Sequence, residues 1–70
     1  MAISYIDSIE RIPNSNPEFY TLRVNYVYAN EPLYLTVNCP RKMSLRVGED
    51  FAVLEYEREV ARMRGEPFHD

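Results

Sequence analysis

The sequence has no tryptophan, one cysteine, one lysine, one histidine and two glycines among its 70 residues. Each scarcity removes a class of function. Cys39 alone cannot form an internal disulfide, and with His69 alone it cannot complete a tetrahedral zinc site within one chain. With the only histidine beside the C-terminus, no Ser-His-Asp or Cys-His pair is expected in the folded region. Gly48 and Gly65 are too few and too far apart for a phosphate-cradling loop. No apolar run approaches the roughly 20 residues needed to span a bilayer. Met1–Tyr5 lacks the basic and apolar regions of a secretory signal, so a cytoplasmic location is expected, without membrane attachment.

Net charge is −3 and the pI is about 5.1, which weighs against a general nucleic-acid binder with a basic face. Positive charge is carried almost entirely by arginine, at positions 11, 23, 41, 46, 58, 62 and 64. Arginine suits contacts to carboxylates, phosphates and aromatic faces, although codon bias produces the same excess. Glu55, Glu57 and Glu59 alternate, a spacing that can serve metal or acid–base chemistry. The interleaved Arg58 and Arg62 instead make a solvated, charge-paired surface. No metal, cofactor or catalytic residue is expected, and the chain reads as a non-enzyme.

Apolar residues make up 46% of the chain, enough for a folded domain rather than a disordered segment. The clearest pattern is strict alternation over Phe19–Cys39. Tyr20, Leu22, Val24, Tyr26 and Tyr28 fall on one side of a first run, and Leu33, Leu35, Val37 and Cys39 on one side of a second. Period-2 alternation with aromatic and β-branched residues predicts two half-buried antiparallel strands. The turn is expected over Ala29–Pro32, with Pro40 ending the second strand. Leu22, Val24, Leu35 and Val37 are the expected centre of the core. Cys39 belongs to the same face, as a small buried hydrophobe.

Ile3–Ile12 fits neither helical nor strand period throughout. Ile3 and Tyr5 alternate, whereas Ile6, Ile9 and Ile12 recur every third residue. A strand with a bulge near Asp7–Ser8 reconciles the two. Pro13-Asn14-Ser15-Asn16-Pro17 is a loop, so the three strands form an antiparallel meander.

Two readings compete after Gly48. Phe51–Glu55 can be a fourth strand followed by a short helix, giving a mainly β sheet that curls toward a small SH3/OB-like barrel. Alternatively, one helix from about Glu49 to Arg64 carries Val53, Tyr56, Val60 and Met63 on one face, with Gly65 as its C-terminal stop. The second reading gives an α+β, β-β-β-α domain with one helix across a three-stranded sheet. The first reading is preferred. Residues 1–64 are expected to form one small domain and 65–70 a flexible tail.

The outward set of the central hairpin is Arg23, Asn25, Val27, Tyr34, Thr36 and Asn38. If the faces were inverted locally, Tyr26 and Tyr28 would be exposed instead. Tyrosine and arginine concentrate at protein interfaces, because each buries a large area and keeps directional hydrogen bonds. Arg23, Asn25, Tyr34, Thr36 and Asn38 are therefore the expected partner-binding residues. The expected function is a protein-interaction module, an accessory subunit or small inhibitor, acting through a sheet face or edge. A homodimer through an open edge fits the same pattern. The alternative is a small single-strand nucleic-acid binder using Arg23, Tyr34 and the Arg41, Lys42 and Arg46 group.

Overall fold

The computed structural model describes residues 2–65. Three strands, β1 (Ser4–Ile12), β2 (Phe19–Tyr28) and β3 (Glu31–Pro40), precede one helix, α1 (Leu45–Met63). The strands form one open antiparallel sheet in the order β1-β2-β3. The sheet does not curl into a barrel, and Phe51–Glu55 is helical rather than a fourth strand. Strand residues still outnumber helical ones, so the domain is mainly β in the β-β-β-α arrangement.

The helix wins over Phe51–Glu55 because a cap seven residues upstream, at Ser44, fixes its start. Ser44 Oγ accepts a hydrogen bond from the Val47 amide, at 3.3 Å, and satisfies one of the orphan donors of the first turn. The helix thus begins before Glu49, and Gly48 lies inside it. Gly48, Ala52 and Val60 line its buried face, with Tyr56 and Met63 partly buried against the core. Gly65, at φ +73°, occupies the left-handed stop position expected of it. Its amide bonds back to the Arg62 carbonyl.

β1 carries the expected bulge. Its register with β2 shifts between Ile6 and Ser8, so Asp7 is the extra residue. Ile6 opposes Tyr26 and Ile9 opposes Val24. One inserted residue therefore keeps both isoleucines on the core face despite their odd spacing.

The β2–β3 turn is tighter than the four-residue loop expected. Only Ala29 and Asn30 connect the strands, both at positive φ (51° and 67°), as a type I′ turn requires. Pro32 is consequently a strand residue, and Pro40 closes β3 as expected.

The helix packs on one face of β2 and β3. Tyr20, Leu22, Val24, Tyr26, Val37, Cys39 and Ala52 form the buried cluster, with Leu33 and Leu35 partly buried against it. Tyr26 is 4% exposed and Tyr34 61%, which fixes the faces as first assigned and excludes the inversion. The Tyr26 and Tyr56 rings meet edge-on with centroids 5.3 Å apart. The Tyr56 hydroxyl reaches Ser4 Oγ at 2.6 Å, tying α1 to β1. Arg64, at the C-cap of α1, donates to the Ala2 carbonyl at 2.7 Å and makes a second tie, to the segment just before β1.

Leu22 is fully buried and Leu35 only half so. Leu22→Ala should lower stability by about 2–5 kcal/mol, the range for leucine truncation in a packed core. Leu35→Ala should cost measurably less. Denaturant titrations of the two variants check the order; equal losses would show that β3 carries as much of the core as β2.

Candidate protein-binding face

The face of the sheet away from α1 is built by the odd residues of β2 and the even residues of β3. Cross-strand pairs bring Arg23 opposite Thr36, Asn25 opposite Tyr34 and Thr21 opposite Asn38. All five residues expected to contact a partner, Arg23, Asn25, Tyr34, Thr36 and Asn38, therefore share this face. β1 adds Tyr5, Ser8 and Glu10, opposite Val27, Asn25 and Arg23. These three were missed in the sequence, because the Asp7 bulge changes which parity points outward.

The centre of the face is held in one arrangement by its own bonds. The Arg23 guanidinium lies over the Tyr34 ring, 4.1 Å from the centroid. Arg23 Nε donates to Asn25 Oδ1 at 3.0 Å, and Asn25 Nδ2 donates to Ser8 Oγ at 3.0 Å. Arg23 and Asn25 are thus oriented by neighbours, while the Tyr34 ring stays largely exposed.

One end of the face is apolar, formed by Tyr5, Val27 and Pro32, with Tyr5 54% exposed. The other end is closed by the β1–β2 loop. Asn14 and Asn16 side chains accept from the amides two residues on, turning the chain back over the sheet. Asn14 Nδ2 then donates to Thr21 Oγ1 at 2.8 Å, and Thr21 Oγ1 donates to Asn38 Oδ1 at 2.8 Å. This lid explains why Thr21 is buried on an otherwise open face. It also gives Asn38 a structural task, so the candidate contact set is centred on Arg23, Asn25, Tyr34 and Thr36.

The basic group of the nucleic-acid alternative lies elsewhere. Arg41 and Lys42 follow the end of β3, and Arg46 stands in the first turn of α1. Arg41 lies seven residue steps from Tyr34 along the chain, about 23 Å at 3.3 Å per residue. Glu10 pairs directly opposite Arg23, and Asp7 borders the same shallow depression. The face is therefore mixed in sign.

Other reactive groups lie on the opposite side. Cys39 is fully buried. Burial pushes its thiol, and the Tyr20 and Tyr26 hydroxyls, above their ordinary values. Among the described residues, no three His, Cys, Asp or Glu side chains are grouped so as to hold a metal ion. Nor is any helix among them long and apolar enough to cross a membrane. His69 and the expected flexible tail, apart from Gly65, lie outside the described residues. Comparisons with protein-family models, curated proteins and solved structures found no match.

A bulky thiol reagent should label Cys39 slowly in the native protein and rapidly in denaturant. Rapid native labelling, followed by absorbance, would mean that α1 does not cover this face in solution.

Proposed function

We propose that this chain is a non-enzymatic protein-interaction module whose helix-free sheet face binds a protein partner. An accessory subunit or small inhibitor in the cytoplasm, where a lone thiol stays reduced, fits this description. The observation that carries the reading is the preorganised Arg23–Tyr34 stack beside an exposed apolar corner. Tyrosine and arginine are the residue types that dominate binding hot spots. Both project from regular strands, so binding orders few side chains that were not already ordered. Mixed charge supports a protein partner over a nucleic acid, since a phosphate backbone would meet Glu10 and Asp7 beside Arg23. A base stacking on Tyr34 would also have to compete with the guanidinium already lying over the ring.

The test compares wild type with Arg23→Ala and Tyr34→Ala. Both variants should melt close to wild type by circular dichroism. A partner captured from the native host and identified by mass spectrometry should bind each variant about 1–3 kcal/mol more weakly by calorimetry, as hot-spot truncations do. Normal binding by both variants would move the contact surface elsewhere. Tight oligonucleotide binding that weakens steeply with salt would favour the nucleic-acid alternative.

A further inference from the structure

The two edges of the sheet are built differently. β1 is interrupted by the Asp7 bulge and carries Asp7, Glu10 and Arg11, features that discourage another strand from pairing. β3 has no bulge in its register with β2 and no charged residue between Glu31 and Arg41. The backbone groups that it does not share with β2, which no other described strand pairs, can be located from the alternation of an antiparallel ladder. The Arg41 amide bonds to the Glu18 carbonyl of the β2 side. Cys39, Val37, Leu35, Leu33 and Glu31 therefore also bond toward β2. Tyr34, Thr36 and Asn38 turn their N–H and C=O groups to the open edge. Pro32 and Pro40 have the same parity, so the two residues that lack an N–H sit where β2 needs no donor.

This edge is symmetric about Thr36. An antiparallel strand of the same sequence, with Thr36 opposite Thr36, places Tyr34 opposite Asn38 and Pro32 opposite Pro40. Each non-proline pair can exchange both N–H···O bonds, and the ladder ends where both sides run out of donors. On the core side, Leu35 would oppose Val37, extending the apolar face.

The flank of α1 beside this edge has a matching symmetry. Leu35–Asn38 line a groove with Phe51, Glu55, Arg58, Glu59 and Arg62. Within one chain Glu55 pairs with Arg58 at 3.4 Å and Glu59 with Arg62 at 2.7 Å. The order acid, base, acid, base reverses sign about the midpoint between Arg58 and Glu59. A two-fold axis there sets Glu55 opposite Arg62 and Arg58 opposite Glu59 of a second copy. Phe51, 36% exposed, adds apolar surface to the groove.

We propose that the β3 edge and the adjoining flank of α1 are the interface for a second copy of this chain, joining two sheets into one of six strands. The outward faces remain open, so the dimer would present two copies of the Arg23–Tyr34 face. The bulged β1 strands become its two edges. This inference stands independently of what binds that face.

Sedimentation equilibrium at micromolar concentration tests it. Wild type should sediment at twice its 8.3 kDa monomer mass. Thr36→Pro removes the central outward donor without touching the β2 ladder and should sediment as a folded monomer, while Thr36→Ala should remain dimeric. A second pair of variants keeps the test decisive if the proline variant does not fold. Glu55→Lys/Glu59→Lys and Arg58→Glu/Arg62→Glu should each be monomeric alone, from like-charge repulsion, and should form a one-to-one heterodimer when mixed. Arg23→Ala should stay dimeric whatever its effect on partner binding. A monomeric wild type, a dimeric Thr36→Pro, or charge variants that show no preference for each other would overturn the proposal.

Discussion

The fold depends on one close approach, between Gly48 in the first turns of α1 and Tyr20 on β2. A Cβ on Gly48 would lie 3.4 Å from Cys39 Sγ, 3.3 Å from Tyr20 Cζ and inside any ordinary contact distance of the Tyr20 hydroxyl. The hydroxyl has no spare room. It is held by the Met43 carbonyl at 2.9 Å and the Ser44 carbonyl at 3.0 Å, at the entry to the helix. The Arg11 guanidinium lies 4.7 Å from the Tyr20 ring centroid. A glycine inside a helix costs roughly 1 kcal/mol relative to alanine. Here that cost lets the backbone of α1 rest on the β2–β3 hairpin.

The proposed binding face follows from where that contact sets the helix. With α1 anchored over Tyr20 and Cys39, and Tyr56 bonded to Ser4, the core face of the sheet is covered. Among the described residues, the opposite face has no second layer. It is ordered instead by its own polar bonds, from Ser8 through Asn25 to Arg23 and onto the Tyr34 ring. Arginine serves this fold partly through aromatic faces, with Arg11, Arg23 and Arg64 lying over Tyr20, Tyr34 and Tyr28. A 70-residue chain buries only about 60% of its unfolded surface, and such stacks lay long charged side chains on tyrosine rings both at the margin of the core, as at Tyr20, and on the open face, as at Tyr34.

The β2–β3 hairpin was legible because alternation over ten-residue strands is a long signal with one solution. The β1 bulge was legible because Ile6 and Ile9, three residues apart, can share a strand face only across an inserted residue; Ile12, opposite Thr21, falls on the outward face instead. The turn was not, since Ala29-Asn30 takes the place of the Asn-Gly pair that usually announces a type I′ geometry. The helix start was obscured twice. Gly48 reads as a turn, and Phe51-Ala52-Val53-Leu54 reads as a strand when tertiary context is absent. The Ser44 cap, not used in reading the sequence, is the local mark that could have identified it. On the outward face, the residues of β2 and β3 could be assigned from parity alone. The β1 residues could not, because parity fails across a bulge, and the tie of Asn38 to the Asn14 loop is a long-range contact that no local pattern encodes.

A double-mutant cycle between Gly48→Ala and Tyr20→Phe tests the central contact most directly, with stability read from denaturant titration. Gly48→Ala should be destabilising by up to about 2 kcal/mol, because overpacking of about 1–3 kcal/mol is offset in part by the roughly 1 kcal/mol gained in helix propensity. Tyr20→Phe should cost about 1 kcal/mol for the lost hydrogen bonding. Removing the hydroxyl makes room for the new methyl, so the double variant should be more stable than the sum of the single losses by at least about 0.5 kcal/mol. A stabilising Gly48→Ala that adds independently to Tyr20→Phe would contradict the account, since it would mean that α1 does not rest on Tyr20.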